Sequence, residues 1–304
     1  MSGISTNRTN ITLPADVSAE IIQKVQEESA IMRLASRVNL PGRGLTIPVI
    51  SGDPEAGWVD ETNVKPVSNP SLSTKNMKGY TLAVIVPFSN QFRRDLQSLY
   101  DAIVSRLPGA LAKKFDNTVF NGSAPGTGFD VLTGCTAQSI STDSRGIYKA
   151  LVAADTGIAV AGYAVNGFAM SPQARGVMLE AEDSTHRPIF INAISEGDIP
   201  KLLGQPVYYS RGLYGAGNAA SGTSGQSNYV AAKDDVLGFA GDWTQAKYGV
   251  VEGVEIAISD QATLTISNEA VNLWEHNMFA VRAEIEIGFI AQSDAFQKIT
   301  RTHA

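Results

Sequence analysis

The residues best suited to chemistry are few and scattered. The chain has three histidines and one cysteine. His186 precedes Arg187-Pro188, His276 follows a tryptophan by two positions, and His303 lies in the tail. None has a partner at the H-x-x-x-H spacing that places two imidazoles on one helix face for a metal. Each therefore reads as a structural or solvated histidine. No G-x-S-x-G elbow is present to raise a serine nucleophile above a sheet, and nothing in the sequence places Cys135 beside a base, so it reads as a packed thiol. Gly215-Ala-Gly217-Asn-Ala-Ala220 matches the dinucleotide pattern G-x-G-x-x-A. That pattern needs a helix N-terminus facing the pyrophosphate, and Ser221-Gly-Thr-Ser-Gly225 is a poor helix former, so the match reads as loop composition. The cluster Gly122–Gly128 lacks the Gly-Lys-Ser/Thr ending of a phosphate loop. The acidic pairs Asp60-Glu61, Glu180/Glu182 and Asp234-Asp235 read as solvated carboxylates, since adjacent strand residues face opposite ways. No catalytic constellation, cofactor site or metal site is expected.

Two strand-like runs, Leu45–Ile50 and Gly79–Val86, flank a polar excursion from Ser51 to Lys78 whose apolar residues include Trp58, Val59, Val64, Val67, Leu72 and Met77. It cannot build a core alone, and an isolated two-stranded ribbon in water is marginal. Arms of about 15 residues would reach roughly 50 Å, so the projection is expected to lie on another copy of the chain. The outgoing part carries Asp53, Glu55, Asp60 and Glu61 without a base, and the returning part carries Lys65, Lys75 and Lys78 without an acid. The charges neutralise each other across the ribbon, worth little per exposed pair, or set register against a neighbour; a mixture is expected. Trp58 among these acids reads as an anchor for a pocket. Arg93 and Arg94, which follow the excursion, join Trp58, Asp60, Glu61, Lys65, Lys75 and Lys78 as candidate assembly contacts.

The remaining elements frame this projection. Residues 1–13 read as an extended arm, and a helix is expected from Val17 to about Arg37, capped by Asp16. Leu96, Leu99, Tyr100, Ile103, Leu107, Leu111, Phe115 and Val119 follow a three-four spacing, which predicts one long helix ending at Asn121-Gly122. Pro108 falls in its middle and is expected to kink rather than end it, because the stripe continues in phase. A short strand is expected over 129–132, a helix over 145–161, and a buried strand over 163–170. Ser171-Pro172 should open another helix, reaching about residue 182. Further strands are expected over 206–210, 236–240 and 250–259. Residues 211–228, rich in Gly, Ala, Ser and Asn, read as the softest loop. Apolar residues from Phe279 to Phe289 alternate with Arg282, Glu284, Glu286 and Gly288, the pattern of a long half-buried strand.

The 304 residues suffice for one large or two ordinary domains. Charged residues make up 18%, against about 25% for soluble proteins, consistent with a chain that hides surface in contacts. The net charge of −6 and the lack of a basic stripe argue against sequence-specific nucleic-acid binding. A single cysteine allows no intrachain disulfide. Neither an apolar signal core near the N-terminus nor a run of about 20 apolar residues is present, so no membrane span is expected.

In order along the chain, the elements resemble the major capsid proteins of tailed double-stranded DNA phages, the HK97-like family. Leu13-Pro14, Glu20-Ile-Ile and Glu28-Ser29 resemble its N-arm entry. Ile47-Pro48 and Gly57-Trp58-Val59-Asp60-Glu61 resemble the start of its extended loop, and Asp95, Leu111-Ala112 and Phe115-Asp116 to Asn121-Gly122 its spine helix. Ala169-Met170-Ser171-Pro172, Gly204-Gln205-Pro206-Val207, Gly241-Asp242-Trp243 and Ala295-Phe296 resemble later landmarks. The resemblance implies an α+β fold. Residues 1–40 would form an N-terminal arm and helix and 41–89 an extended hairpin. Residues 90–149 and 261–304 would form a peripheral domain holding the spine helix, and 150–260 an apical α/β domain with loop 211–228 near its tip. It implies pentamers and hexamers closing into an icosahedral shell around DNA in the virion, after assembly in the host cytoplasm. It also implies portal and decoration proteins, and a scaffold that is a separate protein because the N-arm is reached within about a dozen residues. A Lys–Asn crosslink known in some relatives is not expected, because no Asn follows Asn277. An encapsulin-like compartment around a protein cargo is the alternative, and a cytoplasmic enzyme a remote one.

Overall fold

The computed structural model describes residues 23–51, 58–59, 65, 71–90, 96–140, 146–190, 199, 201–221, 230–266 and 269–303. Its structural relations divide between two sheets, a projecting ribbon and one long helix.

A helical stretch over 23–28 continues, after a break at Ser29, as α1 (Ala30–Leu34). Ser29 has extended backbone angles and its Oγ accepts from Met32 N–H, so it caps a new helix rather than extending the old one. The single helix expected to reach Arg37 therefore ends early, and its residues before 23 lie outside the described residues. Ser36–Asn39 instead forms β1.

The ribbon consists of β2 (Leu45–Ser51) and β3 (Ser71–Met77), antiparallel from Leu45↔Met77 to Ser51↔Ser71. The flanking run after it becomes β4 (Tyr80–Ser89), which pairs with β13 (Met278–Ala291) and not with β2. With β10 (Ala246–Ser259) these make a four-stranded sheet in the order β1-β10-β13-β4. Val281, Ala283, Ile285 and Ile287 of β13 are buried while Arg282 between them is exposed. This is the inside–outside alternation expected of a sheet with one wet face. The small ribbon of β11 (Thr263–Ile266) and β12 (Glu269–Asn272) lies between β10 and β13 in sequence.

The helix α2 runs unbroken from Leu96 to Asn121 with Pro108 inside it. Along its described side chains Leu107, Leu111, Phe115 and Val119 are buried, so the in-phase stripe outweighs the helix-breaking proline. Phe115 meets Phe289 of β13 edge-on at 6.4 Å. Further along, Phe120 lies 4.9 Å from Phe239.

Phe239 belongs to β9 (Asp235–Gly241), whose residues are all buried. This strand is central to a six-stranded sheet ordered β5 (Thr136–Ile140), β14 (Phe296–Arg301), β9, β6 (Gly167–Met170), β8 (Gln205–Tyr209), β7 (Lys201–Leu202). One face packs on α3 (Gly146–Val160) and α4 (Pro172–Leu179), through Leu151, Ile158 and Met178 among others. The opposite face meets Phe120 and Trp243. Ser171 caps α4 by accepting from Ala174 N–H, with Pro172 in the first turn. Segments 90–149 and 261–304 each contribute to both sheets, through α2 and β13 on one side and β5 and β14 on the other.

Two further expectations are corrected. Residues 129–132 are irregular chain ending in a bend at Leu132 rather than a strand. Residues 211–221 do not hang free: Gly215, Asn218 and Ser221 form bridges to Val236, Lys233 and Val230. The glycines there serve close approach, since a Cβ on Gly217 would strike the Lys233 carbonyl. Residues 222–228 of that loop lie outside the described residues.

Candidate assembly surfaces

The base of the ribbon is a small apolar cluster of Leu40, Ile47, Met77 and Ile290. Around it the turn 122–128 acts as a clamp. Lys78 N–H donates to the Gly128 carbonyl at 2.9 Å, and Tyr80 hydroxyl donates to the Thr127 carbonyl at 2.8 Å. Gly128 has φ +83°, and a Cβ there would lie 2.7 Å from the Asn76 carbonyl. Gly126 leaves room for the Tyr80 ring.

Lys75 completes the clamp. Its Nζ lies 2.8 Å from Asp130 Oδ2 and 2.7 Å from the Ala291 carbonyl. Asp130 Oδ2 also accepts from Ala291 N–H at 3.1 Å. A cleft of about 310 Å³ opens here, lined by Lys75, Asn76, Lys78, Thr127, Gly128, Asp130 and Ile290. Of the candidate contact residues, Lys75 is thus engaged within its own chain, with Asp130 rather than with an acid of the ribbon. Lys65 and Lys78 are exposed, and Trp58 is fully exposed at 106% of its reference area. Asp60, Glu61, Arg93 and Arg94 lie outside the described residues.

The wet face of the four-stranded sheet carries Glu255 directly opposite Glu284, with Arg282 3.1 Å from Glu284. Ile85 on β4, opposite Arg282, is 47% exposed. Like charges directly opposite each other cost stability, and Arg282 beside Glu284 offsets that cost here.

Two buried carboxylates lie elsewhere. Asp116 of α2 is fully buried. It accepts from Ser29 Oγ at 2.6 Å, Ala30 N–H at 3.0 Å and Ser210 Oγ at 2.6 Å. Burial raises its pKa to about 6 against the lowering effect of these hydrogen bonds. Asp235 of β9 sits 2.8 Å from His303 Nδ1 and accepts from Gly217 N–H at 2.7 Å. Burial alone would raise its pKa, but the bond from Gly217 and the contact with His303 together hold it below its ordinary value. Sequence reading placed Asp116 within the resemblance and His303 in the tail, and gave neither a role. Their partners are far away along the chain, where no local pattern shows them.

The chemistry-bearing residues are not brought together. Exposed His186 pairs with half-buried Glu182 at 2.9 Å, and His276 with the Asn272 carbonyl at 2.9 Å. Burial pushes the Cys135 thiol up to about 12, leaving it an inert donor to the Ser293 carbonyl at 3.4 Å. Among the described residues no three His, Cys, Asp or Glu side chains gather as a metal site, and no helix is long and apolar enough to cross a membrane.

The described chain holds a two-stranded ribbon clamped by the turn 122–128, one long helix and two larger sheets, and its chemistry-bearing side chains are not gathered into a site. The chain belongs to the phage capsid family, whose pattern matches residues 9–300. It is 26% identical over 307 residues to the probable major capsid protein gp17 of Mycobacterium phage L5, covering 96% of this chain and 90% of that protein. It is 25% identical over 301 residues to the major capsid protein of Staphylococcus phage 80alpha, covering 95% and 84%. Among solved structures, one from Mycobacterium phage Ogopogo superposes with a TM-score of 0.70 at 18% identity, over 90% of this chain and 92% of that one. A capsid of a native GTA particle superposes with a TM-score of 0.61 at 13% identity, over 99% and 95%. The fold is thus HK97-like and α+β, as the resemblance implied.

Proposed function

We propose that the chain is the major capsid protein of a tailed phage. Copies join as pentamers and hexamers and close into an icosahedral shell that encloses double-stranded DNA without reading its sequence. The observation that carries this reading is the ribbon, anchored at its base by Lys75 and the 122–128 clamp and presenting Trp58 wholly to solvent. A large ring left wholly exposed to solvent fits an anchor for a second copy. Individually modest contacts become strong when repeated around a closed shell.

The four-stranded sheet with α2 serves as the peripheral part and the six-stranded sheet with α3 and α4 as the apical part. The basic return arm of one copy, Lys65 foremost, lies across an acidic surface of its neighbour. Asp60, Glu61, Lys78, Arg93 and Arg94 belong to the same contact set. The spine helix bends at Pro108 between shell states. Assembly takes place in the host cytoplasm with separate scaffolding, portal and decoration proteins, and the finished protein resides in the virion.

The test is to express the full chain, size it by chromatography with light scattering, and image it by electron microscopy. Rings or shells are expected, and Trp58→Ala should give folded chains that fail to form them. Normal shells from Trp58→Ala, and also from a deletion of residues 52–70, would overturn the role given to the ribbon.

A further inference from the structure

Asp116 differs from Asp235 in one respect. Asp235 has His303 and Arg301 beside it, at 2.8 Å and 3.9 Å. Asp116 has two hydroxyls and the Ala30 amide as hydrogen-bond donors, and burial and hydrogen bonds are the main influences on its displaced titration. Among the described residues, the ionisable neighbours on the packed elements are exposed. Glu28 is exposed, its carboxylate against Gly109. Arg33 stacks over the Tyr208 ring at 5.5 Å. Lys113, Lys114 and Arg211 are exposed. A carboxylate buried without a cation is costly when ionised.

Its three donors come from different parts of the chain. Ser29 and Ala30 form the N-cap and first residue of α1, and Ser210 follows β8 of the six-stranded sheet. Ser29 Oγ is shared, since it donates to Asp116 and accepts from Met32 N–H at 3.2 Å. Ser210 Oγ likewise accepts from Gly212 N–H at 3.2 Å. Gly212 packs directly on the spine, where a Cβ would lie 2.5 Å from the Lys113 carbonyl. One side chain therefore ties the N-terminal helix and the loop after β8 to the spine helix.

We infer that Asp116 is a proton-operated latch, holding these two elements to the spine helix when protonated and favouring their release when ionised. Release lets water reach the carboxylate, which then returns to ordinary carboxylic acidity. The protonated acid keeps the joint, since its carbonyl oxygen accepts from Ala30 N–H and Ser210 while its hydroxyl donates to Ser29 Oγ. The folded pKa of about 6 lies above the ordinary 3.8. The extra hold is therefore complete below the ordinary value and is lost as pH rises through the folded one. Between pH 5 and pH 7.5 the equilibrium for opening the joint rises about tenfold by this linkage.

Hydrogen exchange at the amides of residues 30–35 in the full chain, corrected for the intrinsic pH dependence of exchange, reads this opening directly. It needs no assembly, so its outcome is separate from that of the proposed shell function. The expected result is about a tenfold fall in protection from pH 5 to pH 7.5. In Asp116→Asn protection should be flat, because the amide reproduces the neutral hydrogen-bond pattern. Protection independent of pH in the wild-type chain, or a slope in Asp116→Asn equal to the wild type, would overturn the inference. Should Asp116→Asn not fold, Ser210→Ala provides the second test. Losing one donor to the carboxylate must move the midpoint to higher pH, and an unmoved midpoint counts against the latch.

Discussion

Lysines 65, 75 and 78 share one arm of the excursion, yet Lys75 is bonded within its own chain while Lys65 is exposed, and Lys75→Met tests the difference. Methionine keeps most of the aliphatic stem and removes the charge. Two interactions go: the ion pair with Asp130 at 2.8 Å and the bond to the Ala291 carbonyl at 2.7 Å. The pair's side chains are 34% and 36% exposed, so solvent screens it and its share is held to less than about 1 kcal/mol. The carbonyl bond adds roughly 1 kcal/mol, for a loss of about 1.5 kcal/mol in all. In a chain of this size that lowers Tm by about 3 °C. The loss is local to the ribbon base, so hydrogen exchange should quicken over 45–51 and 71–77 before the rest of the fold loosens. Lys65 is exposed, so Lys65→Met should change stability by less than about 0.5 kcal/mol while impairing assembly. Thermal unfolding of the unassembled chains, with exchange on the two strands, decides the matter. Equal destabilisation by both substitutions, or none from Lys75→Met, would refute the division of roles.

Three further outcomes follow from the packing. Trp243 is buried between the sheets, 5.1 Å from Phe296, with its indole N–H on the Gly167 carbonyl at 3.0 Å; Trp243→Ala should cost about 4 kcal/mol, seen as a lowered urea midpoint. Cys135, its thiol pushed up to about 12, should react with iodoacetamide at pH 8 about a thousandfold more slowly than a free cysteine, and unfolding in urea should restore the rate. Gly217→Val should lower stability by about 2 kcal/mol, because the new side chain displaces the Lys233 carbonyl and disturbs the bond to Asp235; Gly134→Ala, where nothing stands within 4 Å, serves as the control.

What could be read from the sequence was what repeats at a fixed period. The alternation from Phe279 to Phe289 became β13, and the stripe from Leu96 to Val119 became α2 despite Pro108, because burial along one face outlasts a single lost backbone bond. Ser171-Pro172 opened α4 because its capping chemistry is local. Elements with few buried side chains stayed hidden. The strand β3 is Ser-Leu-Ser-Thr-Lys-Asn-Met, and of its described side chains only Met77 is buried. The edge strand β1 has no buried residue. Glycine-rich composition made 211–221 look soft, whereas glycine there lets the chain approach its partner closely. Among the contact candidates, shared charge grouped Lys75 with Lys65 and Lys78. Only its position opposite Ile47, at the buried base of the ribbon, sets it apart. Asp116 falls within the helix that the apolar stripe predicts, but its hydroxyl donors lie 87 and 94 residues away, a separation no periodicity reports.

The central claim, that this chain builds a closed shell through its ribbon, is tested most directly by imaging particles of the expressed chain at side-chain resolution and locating Trp58. The account predicts rings of five and six copies with each Trp58 packed on a neighbouring copy. A chain that stays monomeric, or particles in which Trp58 folds back on its own subunit, would contradict it.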